Sequence, residues 1–483
     1  MDRINEDIAA LFAGYSKEPV ISIKKIPQSG SIRIYYRIHT AKQSYIATYG
    51  INIRENETFI RFSRHFKSKG CPVPEIVAVN KAATLYIQED FGDVSLLNKL
   101  EEHGFTPYVF DLFKQSLKTL AHLQICGDEG LDYENWCLTS SEFGKQAILS
   151  DLLYFKYYFL DTLQLPYDKE KLIADFETFA SDLSDVDYKY FMFRDFQSRN
   201  IMIENEQIHF IDFQGGMKGA LQYDVASMLW QAKAELPDEW KNGLLEYYMD
   251  SVEEVLGKHI DRDHFVKQYR GYVLIRLMQV LGAYGFRGLF ERKAHFLISI
   301  PLGLKNLRSF LQNHFTGRNL SEYERVLNLI VEDQVIQRFV PLRASAETPL
   351  VVHINSFSYK KAIPFDTGGN GGGFVFDCRG ILNPGRLEPF KSKTGREKEV
   401  KDFLEQETKM PEYLNSVFDL VDISVEDYIK REFKSLMVSF GCTGGQHRSV
   451  YAADALARHL KNKFGVNIEL HHVEQELKDW RNG

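Results

Sequence analysis

Phe193-Arg194-Asp195-Phe196-Gln197-Ser198-Arg199-Asn200 and the later Ile211-Asp212-Phe213-Gln214-Gly215 decide how this chain is read. An Asp is followed by an Asn five positions later and by a second Asp twelve positions after that. Phosphoryl transfer from a nucleotide asks for such a set: one carboxylate to orient the attacking hydroxyl and two oxygen ligands for magnesium. Mg2+ keeps waters and phosphate oxygens in its shell, so few protein ligands suffice. The apolar runs Ile201-Met202-Ile203 and Ile208-His209-Phe210-Ile211 flank the turn Glu204-Asn205-Glu206-Gln207. That pattern predicts a hairpin holding Asn200 and Asp212 side by side. Any one of these residues alone fits an ordinary surface hairpin; the joint spacing carries the reading.

Upstream, residues from about 20 to 95 read as a small sheet-rich lobe. Val20–Ile23, Ile32–Tyr36, Tyr45–Tyr49 and Leu85–Ile87 are strand-like, and Glu57 to Phe66 is helical with Phe59, Phe62 and Phe66 on one face. Pro27-Gln28-Ser29-Gly30-Ser31 sits between two strands, where small residues let backbone N–H groups approach phosphate oxygens. Gln88-Glu89-Asp90-Phe91-Gly92-Asp93 follows a strand and is a candidate lobe connection whose backbone receives an adenine. Ser29, Gly30, Ser31, Glu57, Glu89 and Phe91 are therefore candidate nucleotide-binding residues. From about 105 to 330 the chain reads as mainly helical. Asp224 opens one helix, either as an N-terminal cap or as a brace for the catalytic loop. Tyr45-Ile46-Ala47-Thr48-Tyr49 lacks the phosphate-binding Lys of a kinase, whose expected helix partner is Glu57. Lys24, Lys25 and Arg33 are the candidate replacements.

These residues together resemble the aminoglycoside phosphotransferase and choline kinase superfamily over roughly residues 15 to 335. A closer likeness is to the bacterial anomeric kinases of N-acetylmuramate and N-acetylglucosamine. It rests on Arg33-Ile34-Tyr35-Tyr36-Arg37, Glu89 to Asp93, Phe193 to Asp195 with Arg199-Asn200, Tyr223-Asp224 and Arg276 to Tyr284. The resemblance implies ATP and Mg2+ as cofactors, Asp195 as catalytic base, Asn200 and Asp212 as metal ligands, and Arg194 and Asp224 as support. It implies a small-molecule kinase acting on a hydroxyl, with an amino sugar as acceptor; no motif marks the acceptor site, for which Tyr154, Lys156, Tyr158 and Arg276 are candidates in the helical lobe. Phe193 stands where relatives carry a His.

With 483 residues the chain is too long for one core, and two or three domains are expected. The expected boundaries are a kinase-like domain over 1–340, with lobes of about 1–95 and 96–340, a linker at 341–349 and a third segment at 350–483. The fold class expected is an α+β bilobal protein-kinase-like fold followed by a separate α/β domain. Hydrophobic residues make up 44% and charged residues 26%, an ordinary globular balance. No signal-peptide pattern or long apolar run stands out, so neither export nor membrane association is expected. Five scattered cysteines without CxxC pairs fit a reducing cytoplasm. The net charge of −7 does not favour broad nucleic-acid or membrane binding. From Leu350 onward basic and acidic residues balance at 19 each, so the deficit lies in the first part.

Past the linker, Leu350–Ile354 and Leu436–Phe440 read as buried strands and Val450–Lys461 as a helix. Gly441-Cys442-Thr443-Gly444-Gly445-Gln446-His447-Arg448-Ser449-Val450 joins strand to helix, where glycine N–H groups and a helix N-terminus can receive an anion. Cys442 and Arg448-Ser449 also have the spacing of a cysteine-phosphatase loop. Ser356–Lys360, Asp366, Val375–Arg379, Asn383-Pro384, Thr394-Gly395 and this loop resemble the C-terminal domain of the RNase adapter RapZ. The resemblance implies an aminosugar-phosphate pocket from Thr443, Gly444, Gly445, His447 and Arg448, with Arg379 beside it. It leaves open a regulatory pseudokinase whose second domain senses a phosphosugar or binds RNA. The near-neutral charge and the lack of a basic, aromatic-rich tail do not favour RNA.

Overall fold

The structure is a computed structural model that describes residues 2–26, 33–291, 294–315, 319–366, 368–369 and 372–477. It divides into two compact units, Met1–Phe339 and Val340–Gly483.

The first unit begins with a five-stranded antiparallel sheet: β1 (Ser22–Lys25), β2 (Ile34–His39), β3 (Ser44–Tyr49), β4 (Ile76–Val79) and β5 (Leu85–Glu89), in the order β1-β2-β3-β5-β4. Alternation along the strands separates its faces. Tyr36, Ile38, Tyr45, Ala47, Leu85 and Ile87 pack with Ile8 and Phe12 of the Asp2–Tyr15 helix. Tyr86 faces the other way and meets Phe59, at 5.6 Å between rings. Phe59 belongs to the Ile53–Ser68 helix, whose Phe59, Phe62 and Phe66 are buried as the spacing predicts. The helix starts four residues earlier than expected because Asn52 caps it, accepting from Glu55 N. Buried Asn56 donates to the Gly50 and Ala83 carbonyls, both at 2.8 Å, and ties the first helical turn to the end of β3.

A helical lobe follows. The predicted hairpin is β7 (Ile201–Glu204) paired with β8 (Gln207–Phe210), and positive φ at Asn205 and Glu206 closes its tight turn. A second short pair, β6 (Lys189–Met192) with β9 (Met217–Ala220), flanks the segment that carries Asp195. Around these pairs stand the Pro107–Asp128, Lys145–Phe155, Lys169–Ser184, Leu221–Leu229, Asp238–Leu256 and Arg262–Tyr284 helices. The last continues into a π-helical turn, and Arg262–Phe290 is long and apolar enough to cross a membrane. Its Val273, Leu274, Ile275, Leu277, Met278 and Leu281 are instead buried in the core of this lobe.

The second unit is a four-stranded parallel sheet in the order β11-β12-β10-β13, built from β10 (Val351–Ser358), β11 (Gly373–Asp377), β12 (Ser435–Cys442) and β13 (Asn467–His472). The central strands β10 and β12 are almost wholly buried, as continuous apolar runs in parallel sheets should be. The chain leaves β10 toward one edge and β12 toward the other, so the crevice at their carboxyl ends is a topological switch point, where ligands of such folds bind.

Candidate active site

Asp195, Asn200 and Asp212 come together as the spacing requires. Asn200 Nδ2 donates to the Asp195 carbonyl at 2.9 Å and lies 3.5 Å from Asp212 Oδ2. The Ile211 amide donates to the Asn200 carbonyl at 3.1 Å, which closes the hairpin base. Asp195 and Asp212 remain 46% and 37% exposed, open to a ligand, whereas Asn200 is buried.

The loop that carries Asp195 is held from behind. Asp224 is fully buried and accepts from Phe193 N at 2.7 Å, Arg194 N at 2.9 Å and Gln124 Nε2 at 2.8 Å. It lies inside the Leu221–Leu229 helix, so it acts as a brace and does not cap that helix. Burial pushes its carboxyl up to about 7, against the pull of those donors. Arg194 takes the left-handed φ of 81° and turns its guanidinium onto Asp151 at 2.7 Å and the Tyr223 hydroxyl at 3.1 Å. Arg276 is only 3% exposed and places Nη2 3.3 Å from Asp195 Oδ1, while Nη1 donates to Gln279 at 2.6 Å. Arg276, expected to help select the acceptor, lies instead against Asp195.

At the nucleotide end, β3 presents no lysine. Thr48 is buried opposite Tyr86 of β5. Burial raises the Tyr86 phenol, and the charge of Arg33 draws it back down. Arg33, 4% exposed, bridges Glu55 Oε1 at 3.2 Å and Asp212 Oδ1 at 3.1 Å. The helix carboxylate is thus Glu55 and not Glu57, which sits half-exposed and pairs with Arg61 one turn on. The cap at Asn52 fixes the helical phase and turns Glu55 toward the sheet. Phe213 stacks on Phe59 at 4.7 Å and 9°, so the residue after Asp212 is packed on the helix that carries Glu55. Gln214 also donates to Asp212 Oδ1, at 2.9 Å.

Of the remaining nucleotide candidates, Ser29, Gly30 and Ser31 lie outside the described residues. Glu89 spends its side chain on Lys67 and the Glu75 amide, at 2.8 and 2.9 Å, and its own amide on the Glu75 carbonyl at 3.1 Å. Phe91 stacks on His209 of β8 at 4.0 Å. Arg37 clamps the connection by binding Asp90 and Asp93 together, with contacts of 2.6 and 2.8 Å. Among the acceptor candidates, Lys156 is buried on Asp161, while Tyr154 and Tyr158 pack edge-on at 4.9 Å beside Phe286.

In the second unit, Gly445 takes a φ of 64° against Glu474, where a Cβ would lie 2.3 Å from Glu474 Cγ. Thr443 and Gly444 are exposed at the switch point. Arg379 lies over the Tyr359 ring at 4.0 Å and pairs with Asp377 at 2.6 Å. His447 and one Arg448 nitrogen turn to backbone carbonyls, while Arg448 Nη2 lies 3.5 Å from Thr443 Oγ1. Arg448 Nη1 donates to the Arg379 and Ile381 carbonyls at 3.0 and 2.7 Å, and His447 Nε2 bonds the Phe390 carbonyl at 2.8 Å. Gln446 donates likewise to the Lys391 and Lys393 carbonyls. The carbonyls of this irregular segment need donors and the loop supplies them, the Ile381 carbonyl in a fully buried bond. Cys442 is buried and its Sγ accepts from Gly445 N at 3.2 Å. With Arg448 turned onto carbonyls, a phosphatase constellation is not assembled around Cys442.

A family model described as the phosphotransferase enzyme family matches residues 22–257, and one described as the RapZ C-terminal domain matches 350–476. A nucleotide-binding protein of Fervidobacterium nodosum is 40% identical over 134 residues, 28% of this chain and 46% of that protein. One of Fusobacterium nucleatum is 31% identical over 215 residues, 42% of this chain and 69% of its own length. The chain spans about half the length of most of the curated relatives it matches. Among solved structures, choline kinase from Cryptosporidium parvum aligns with a TM-score of 0.47 at 13% identity, covering 67% of this chain and 99% of that one. Amicoumacin kinase aligns at 0.44 and 12%, covering 69% and 93%. The chain thus carries a phosphotransferase-family domain in its first unit and a RapZ C-terminal domain in its second.

Proposed function

We propose that the first unit is an ATP- and Mg2+-dependent kinase of a small-molecule hydroxyl, with an amino sugar as acceptor. The observation that carries the reading is the joining of Asp195, Asn200 and Asp212 at one open face, with Asp195 braced by Arg276 and, through its loop, by Asp224. Asp195 receives the acceptor hydroxyl and takes its proton as the oxygen attacks phosphorus. Arg276 fixes the carboxylate so that little reorganisation is needed.

The donor set fits a hard divalent cation. Asn200 and Asp212 offer oxygen, and Arg33 and Gln214 both bond Asp212 Oδ1, leaving Oδ2 toward Asn200. Bound there, Mg2+ would neutralise charge on the phosphate oxygens.

The acceptor belongs beside the base. Asp151 and Tyr154 share one face of the Lys145–Phe155 helix, Asp151 on Arg194 and Tyr154 against Gly282 of the facing helix. The Tyr154, Tyr158 and Phe286 rings offer aromatic faces that suit a sugar ring. The second unit, in the same proposal, takes an aminosugar phosphate at Thr443, Gly444 and Arg379, exposed at the carboxyl ends of β10 and β12. ADP release across a panel of amino sugars, amino alcohols and aminoglycosides tests the kinase reading. An amino sugar is expected to stimulate turnover most, and no stimulation by any acceptor contradicts it.

A further inference from the structure

We propose that Arg33 is the nucleotide-phosphate clamp of this kinase, delivered from the start of β2 in place of a lysine on β3. The inference rests on the kinase reading above and concerns how that site grips a nucleoside di- or triphosphate.

Three observations carry it. First, no residue of β3, Ser44-Tyr45-Ile46-Ala47-Thr48-Tyr49, is cationic, and the inward-facing Thr48 is sealed against Tyr86. Second, Arg33 has the two partners that such a clamp needs. It meets a carboxylate on the helix behind the sheet, Glu55 at 3.2 Å, and the candidate metal ligand, Asp212 at 3.1 Å. A cation touching Asp212 is one residue's reach from any phosphate whose metal Asp212 holds. Third, the site is built and not a chance surface pair. Arg33 is 4% exposed, its guanidinium lies near the Tyr35 ring at 5.6 Å, and Phe213 on Phe59 locks the two carboxylates' supports together.

The exchange of lysine for arginine alters the chemistry. An ammonium is a point charge, whereas a guanidinium is a planar fork that can keep one edge on Glu55 and give the other to two phosphate oxygens. Asp212 Oδ1 is the partner that a phosphate replaces on the fork, while Glu55 stays as the anchor. Glu55 is a positioning residue that acts through Arg33.

The test is calorimetric binding of ADP and of adenosine to the full chain. Wild type is expected to bind ADP at least about tenfold more tightly than adenosine, as charge-assisted bonds to phosphate require. Arg33→Met should lower ADP affinity about ten- to a hundredfold, leave adenosine affinity unchanged, and resist rescue by Arg33→Lys. Unchanged adenosine affinity also reports an intact fold. If Arg33→Met does not fold, Glu55→Gln serves: it should weaken ADP severalfold at constant adenosine affinity. An ADP-to-adenosine ratio equal to that of wild type in the folded variant overturns the clamp while leaving the kinase reading standing. A wild-type chain that binds neither ligand overturns both.

Discussion

Arg276 Nη2 lies 3.3 Å from Asp195 Oδ1, and the guanidinium that reaches it is almost entirely buried. A buried cation touching an exposed carboxylate is a device for orientation, because the side chain that bears most of the desolvation cost is the one that does not move. Gln279 and the Tyr223 ring hold it from the far side. Arg276→Met should therefore lower kcat about ten- to a hundredfold, with the KM for nucleotide nearly unchanged. Steady-state kinetics with both substrates varied checks this; a loss confined to nucleotide KM contradicts it.

Glu55 and Glu57 make a matched contrast. Glu55 touches the buried Arg33, while Glu57 pairs with Arg61 in solvent. Glu55→Gln should reduce kcat/KM for ATP severalfold or more, and Glu57→Gln should leave it within about twofold, as exposed helical pairs contribute little. Equal losses in the two variants would contradict the assignment of Glu55.

Asp224 predicts a dependence of stability on pH. Its carboxyl is pushed up to about 7 in the fold, from an unfolded value near the ordinary carboxylate range of about 4. The stability it contributes is complete below that range and is lost as pH rises through about 7. Wild type should lose stability relative to Asp224→Asn between these limits, by at most about 1.4 kcal/mol per pH unit. Urea unfolding of both proteins at several pH values measures the difference, and a pH-independent difference contradicts it.

Arg448 separates a structural from a ligand-binding role. Its replacement by Met strands the buried Ile381 carbonyl, at a cost of about 1–3 kcal/mol, and leaves the more exposed Arg379 carbonyl to water. Arg448→Met should lower the melting temperature of the second unit in the absence of any ligand. A variant that melts like wild type but loses aminosugar-phosphate binding would return Arg448 to the anion site.

The juxtaposition of Asp195, Asn200 and Asp212 was legible because the three sit at short spacings on one loop and hairpin, and the apolar runs that form β7 and β8 are clear. Phe59, Phe62 and Phe66 likewise marked the buried helical face. Less local features were harder to see. The pair β6 with β9 joins Lys189–Met192 to Met217–Ala220, two four-residue strands whose only signal is mutual pairing. Strand β11 begins at Gly373, packed so tightly that a Cβ there would lie 2.0 Å from the Met437 carbonyl, and its glycine-rich approach reads as a loop. Glu55 was within reach of sequence reasoning, since Asn52 and Glu55 have the spacing of a reciprocal helix cap. Taking the helix to start at Glu57 hid it. Arg33 meeting Asp212 across 179 positions is a tertiary fact that no local pattern encodes. The donors of His447 and Arg448 misled for the same reason: a strand-to-helix loop shows which donors exist, and only the fold shows which carbonyls claim them.

The central claim is phosphoryl transfer from a nucleotide to a small hydroxyl with Asp195 as the base. Its most direct measure is transfer of labelled γ-phosphate from ATP to an amino sugar, comparing wild type with Asp195→Asn at equal nucleotide occupancy. Labelled sugar phosphate is expected from wild type, and a rate about 10²- to 10⁴-fold lower from Asp195→Asn with ADP binding retained. Transfer by Asp195→Asn at the wild-type rate, or no transfer by a wild type that binds ATP, would contradict it.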